Sequence, residues 1–163
     1  MRALCLLIVL VLAAPIQSEG IRAGLEKAYA RAERCARYKF LDGVLGNRAP
    51  GFQLFGPDGL NRDLTLERDR FQFLFSRATR VRFKTQIMSV SSTPEGAQAD
   101  VSQSLVVEQI DPQTRSLFTI VLSTRAIDAW KRTPNGWKLT SSSVKNQTST
   151  RAGKLIEKSS GKN

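Results

Sequence analysis

Asp128, in the run Ile127-Asp128-Ala129-Trp130, is the acid of this chain best placed by type and spacing to meet a ligand. It lies in a long alternating segment whose even positions also carry Phe118 and Trp130, so one strand face would set a carboxyl among aromatic rings. Phe55, closing a short apolar run, is a further candidate pocket ring. A carboxyl in an apolar pocket orients a ligand's hydrogen-bond donor. The same carboxyl also has a structural reading, because Arg125 and Arg132 lie within four residues and either would satisfy it. That proximity favours the structural role. The chain has no His, which removes the commonest general base, the usual catalytic zinc ligands and any His-dependent triad. Its two cysteines make neither a disulfide scaffold nor a four-Cys metal site, and Cys35 reads as a small buried hydrophobe. No residue set calls for a catalytic assignment, a metal or a cofactor.

The elements that must position these residues follow from periodicity. From Ile21 to about Phe40 the apolar positions Leu25, Ala28 or Tyr29, Ala32, Ala36 and Phe40 form a helical stripe, which Asp42-Gly43 is expected to end. Phe52 to Phe55 is a short strand closed by the turn Gly56-Pro57-Asp58-Gly59. A second helix is expected to start at Thr65 as N-cap, with Glu67 as the anion of its first turn and Phe71, Leu74, Phe75 and Ala78 on its apolar face. The period then becomes two. Val81, Phe83, Thr85 and Ile87 alternate with Arg80, Arg82, Lys84 and Gln86, and Val90 breaks the parity, which predicts a bulge near Met88-Ser89. Strands over 98–110, 115–131 and 137–145 follow, joined by turns. The order predicts an α+β cone, helices packed on a curved antiparallel sheet.

The ends read differently. Arg2 followed by the apolar run Ala3–Ala14 and the small Ser18 has the form of a signal peptide over residues 1–18, too short to span a bilayer. The expected product is one domain over 19–150 with a basic polar tail over 151–163, secreted or periplasmic, without a membrane span after cleavage. The tail reads as frayed, with Leu155-Ile156 able to add a short strand. A net charge of +11 suits anionic surfaces, but the cations are scattered and no nucleic-acid motif accompanies them, so a solvated basic surface is expected and nucleic acid is not.

The hairpin Ile127–Leu139, an Asp-x-Trp strand, a Gly-containing turn and a Trp137-Lys138-Leu139 strand, resembles the terminal hairpin of the nuclear transport factor 2-like (NTF2-like) superfamily, closest to its SnoaL-like and DUF4440 branches. Leu41-Asp42-Gly43-Val44-Leu45 and the passage from Pro57-Asp58-Gly59 to Leu64-Thr65-Leu66-Glu67 fit the same pattern, so the resemblance spans Ile21 to Thr150. It implies the cone, a pocket between sheet and helices for a small apolar ligand, and a homodimer through the outer sheet face, where Leu117, Val121 and Ile127 are expected. In the isomerases of that superfamily a base Asp follows the first strand, and a helix-one Tyr and a late-strand Asp form an oxyanion hole. Asp128 falls on the late Asp. Counting back from Leu41-Asp42-Gly43 puts Ala32 on the Tyr position, with Tyr29 one turn earlier, and the base position falls on Phe55-Gly56. With one role of three filled, the expectation is a ligand-binding or dimeric interaction module. The alternatives are an isomerase- or cyclase-like enzyme using Asp128, or a polyanion-binding protein.

Overall fold

The computed structural model describes residues 14–152 and 154–160; most of the segment read as a signal peptide lies outside the described residues. The first helix, α1 (Ala14–Arg37), buries Ile21, Leu25, Tyr29, Ala32 and Ala36 along one face, the expected stripe without Phe40, which lies beyond the helix end and is exposed. It stops earlier than Asp42-Gly43. Lys39 takes the left-handed conformation at φ 55°, and the amide of Phe40 closes onto the carbonyl of Cys35 at 2.9 Å. Asp42-Gly43 instead belongs to a short second helix, α2 (Leu41–Leu45). There Gly43 lets α2 sit against α1, because a β-carbon would run into the Cys35 sulfur and the Phe40 ring.

Strand β1 (Arg48–Phe55) turns through Gly56–Leu60 into β2 (Asn61–Asp63), and α3 (Leu64–Arg77) follows directly. The N-cap of α3 is Asp63 rather than Thr65: its Oδ1 accepts the Leu66 amide at 2.9 Å, the bond an N-cap carboxylate supplies to a free helix donor. The long strands β3 (Ala78–Thr93), β4 (Gly96–Ile110), β5 (Leu117–Thr133) and β6 (Gly136–Arg151) form an antiparallel meander. Beside β6, β1 pairs in parallel, giving the order β2-β1-β6-β5-β4-β3. The register between β3 and β4 shifts between Ile87 and Ser89, where Val90 had called for a bulge. The tail is ordered as β7 (Lys154–Ser160), antiparallel to the far half of β6, with Leu155 opposite Thr150. Among the described residues no helix is long and apolar enough to cross a membrane.

The helices cover one face of the bent sheet. One part of the core joins α1 to β1, β4 and β5 through Leu25, Tyr29, Phe52, Val101, Ala126 and Trp130. A second part packs α2 and α3 on β3 and β4 through Val44, Phe75, Val81 and Val107. Cys35 packs on the second part, half-buried. Trp137 is half-buried at the margin of the first part and lies against Gly24 of α1. This is the expected α+β cone.

Candidate functional site

Between the sheet and the helices lies a cavity of about 110 Å³. The surrounding elements each bring polar side chains to it. The buried stripe of α1 delivers Tyr29. The even-numbered face of β5 delivers Asp128 and Trp130, and β6 places Ser142 opposite Asp128. Arg48 opens β1, and Glu67 comes from the first turn of α3. Phe52, Phe71 and Leu139 supply apolar wall.

Tyr29, Asp128 and Trp130 form a chain of hydrogen bonds. The Tyr29 hydroxyl donates to Asp128 Oδ2 at 2.6 Å and accepts from Trp130 Nε1 at 3.1 Å. The two rings meet edge to face, centroids 5.1 Å apart. Asp128 is completely buried, and its other oxygen, Oδ1, has no hydrogen-bond partner. Burial pushes the Asp128 carboxyl above the ordinary carboxylate range, against the opposing pull of Ser142, Tyr29 and Arg48. Burial, and then the neighbouring carboxyl, likewise push the Tyr29 phenol up, so it stays a neutral donor.

Arg48 and Glu67 form a second polar pair. Arg48 Nη2 lies 3.4 Å from Glu67 Oε2, with the two side chains 14% and 4% exposed. The guanidinium sits over the rings of Phe52 and Phe71, 5.0 and 5.5 Å from their centroids. Burial lowers the Arg48 pKa, opposed by Glu67. Arg48 Nε and Glu67 Oε1 have no hydrogen-bond partner.

Asp128 and Trp130 therefore line the cavity together, and the other two candidate rings do not. Phe55 points out of the end of β1 and is 45% exposed. Phe118 shares the face of Asp128 but sits ten residues along β5, roughly 33 Å away at the rise of an extended strand. There it lies under the Arg151 guanidinium, 4.0 Å from ring centroid to cation. The Arg partners proposed for Asp128 are also elsewhere. Arg125 is on the opposite face and makes a two-point pair with Asp100 at 3.0 and 2.8 Å, and Arg132 is exposed in the closing hairpin.

No family model matches the sequence and no curated protein matches it in sequence, so the likeness to known proteins is one of structure. A scytalone dehydratase candidate from Novosphingobium aromaticivorans is similar with a TM-score of 0.63 at 6% identity, over 86% of this chain and 91% of that one. A dehydratase candidate of the NTF2-like family from Streptomyces avermitilis gives 0.59 at 13% identity, over 77% and 96%. A ketosteroid isomerase-like protein from Erwinia carotovora gives 0.53 at 12%, over 83% and 95%. The fold is NTF2-like.

Within this NTF2-like fold one count along the sequence needs correcting. Tyr29, not Ala32, is the helix-one residue that reaches Asp128. The count assumed that α1 runs to Asp42, whereas it ends at Arg37 and the chain turns before α2. The base position at Phe55-Gly56 carries no acid and faces away from the cavity. Arg48 and Glu67 are the site residues that sequence reasoning missed. Glu67 enters the sequence reading only as the anion of the first turn of α3, and Arg48 lies in the Gly- and Pro-containing segment before Phe52 that carries no apolar period. The one available signal was their position: Glu67 precedes the apolar Phe71 by a helical turn, and Arg48 precedes the buried Phe52 by four residues.

Proposed function

We propose that this NTF2-like protein binds a small molecule in the cavity, with Asp128 as the polar group that orients it. The observation that carries this reading is the fully buried Asp128, which lines the cavity, is held on one oxygen by Tyr29 and has no hydrogen-bond partner on the other. An unpaired buried acceptor is costly, and a ligand group that fills it recovers that cost as affinity. The signal-like N-terminal segment supports action outside the cytoplasm. The outer sheet face, where Val106 pairs with Val121 across β4 and β5, supports a homodimer.

The test is native mass spectrometry of the intact purified protein beside Asp128→Asn. The expected result is a retained small molecule in the wild type that is lost or at least tenfold depleted in the variant, with both proteins folded. A wild type that retains nothing and binds nothing from a metabolite extract overturns the reading.

A second reading rests on the Tyr29–Asp128 bond itself, a neutral donor and a carboxyl joined as a pair that could stabilise a developing oxyanion. It makes the protein an isomerase-like enzyme. Proton exchange from solvent deuterium at the carbon next to a bound ligand's carbonyl, abolished by Asp128→Asn, would support it; a bound ketone that shows no exchange rejects it.

A further inference from the structure

Four buried polar side-chain atoms among the described residues lack a hydrogen-bond partner, and three of them belong to residues that line this one cavity: Arg48 Nε, Glu67 Oε1 and Asp128 Oδ1. The first two form a donor and an acceptor on the two members of one ion pair. Arg70 Nη1 also approaches Glu67 Oε1, but at 3.6 Å it is beyond hydrogen-bond reach, and its side chain is 42% exposed.

We infer that the cavity selects a neutral ligand, an amide or an alcohol rather than an acid or an amine, whose polar head bridges Arg48 Nε and Glu67 Oε1. The inference rests on the binding reading above and specifies its ligand class. A carboxylate placed at Arg48 would gain that cation but stand against the Glu67 carboxylate. An ammonium would gain Glu67 and stand against Arg48. In a buried setting either mismatch outweighs the gain, because like charges are poorly screened there and each ion must first leave water. A carboxamide meets both atoms, its carbonyl accepting from Nε–H and its N–H donating to Oε1. A hydroxyl does the same with one oxygen. The basic exterior, with a formal net charge of +11, draws anions to the surface, yet the pair inside cancels its own charge.

The experiment compares benzamide, benzyl alcohol, benzoate and benzylamine on the intact protein by saturation-transfer NMR, with dissociation constants from calorimetry. Benzamide or benzyl alcohol is expected to bind at least tenfold more tightly than benzoate and benzylamine. In Glu67→Gln, where Arg48 loses the carboxylate it is paired with, benzoate is expected to gain at least tenfold relative to benzamide. Benzoate or benzylamine binding the wild type as tightly as benzamide overturns the inference, whether or not the variant folds. If none of the four binds, the molecule retained in native mass spectrometry decides. A neutral compound sustains the inference, and an acid or amine overturns it while leaving the binding reading intact. If nothing is retained either, both fall together.

Discussion

The Tyr29 hydroxyl and the Asp128 carboxyl stand 99 residues apart in the chain and 2.6 Å apart in the fold. The same hydroxyl accepts from Trp130 Nε1, so a single oxygen fastens α1 to β5 in both hydrogen-bonding senses. The three side chains are all buried, so none of these bonds is replaced by water when it is lost.

Tyr29→Phe therefore leaves a carboxyl oxygen and an indole N–H buried without partners while keeping the ring. The expected cost is about 2–3 kcal/mol in urea unfolding, the range for stranded buried polar groups. A loss below about 0.5 kcal/mol would show that the bond contributes little.

Asp128→Asn should change how stability depends on pH. Burial raises the folded-state pKa of Asp128 above its ordinary value of 3.8, so its contribution is fully present below that pH and is lost as the pH rises through the folded value. Asn does not ionise and escapes that loss. The melting temperature of the variant relative to wild type should rise from pH 4 to pH 7. A difference that stays constant over this window contradicts the raised pKa.

Glu67→Ala removes one member of a buried ion pair and leaves Arg48 uncompensated, with an expected cost of about 3 kcal/mol. The double change Arg48→Met with Glu67→Leu replaces both charges by apolar volume and should be milder than Glu67→Ala alone. Equilibrium unfolding of the three proteins checks the order; a double variant worse than the single one reverses it.

Trp137→Ala should cost about 2 kcal/mol, below the range for a fully buried Trp, because the indole is half-buried against Gly24 rather than enclosed. Urea unfolding showing a loss above about 4 kcal/mol would mean that the hairpin depends on this ring more than its exposure implies.

The proposed homodimer is checked by light scattering at micromolar concentration. The wild type is expected at the dimer mass and Val121→Arg at the monomer mass. A monomeric wild type rejects the assembly.

Much of the fold was legible because its periods are simple. The α1 stripe and the alternation of β3 to β6 each reflect one buried face, and the bulge after Ile87 showed itself as a break in parity. The site was legible only in part. Parity identified the face of β5 that carries Asp128 and Trp130, but it says nothing of depth along the strand, so Phe118 was grouped with residues at the other end. The register of β5 against β4 runs unbroken from Leu117 to Lys131, so no irregularity caused that error. Tyr29 was passed over because the end of α1 was misplaced: Lys39 adopts a left-handed turn that a non-glycine residue gives little warning of. Arg48 and Glu67 carry no such signal, because isolated charges usually stay in water and the burial of these two depends on each other across nineteen residues.

β6 changes partners along its length: Leu139 to Ser143 pair with β1, and Asn146 to Arg151 with β7. Above this change of partner, a shallow groove lined by Pro57, Asp58, Arg62 and Ser159 shares Arg70 and Gln147 with the cavity. The tail strand thus forms one jamb of a doorway whose other jamb is the β1–β2 turn. If the cavity binds as proposed, shortening the chain after Arg151 would leave Asp128, Arg48 and Glu67 in place and remove Ser159 from this groove, so that a guest would come and go faster while meeting the same groups.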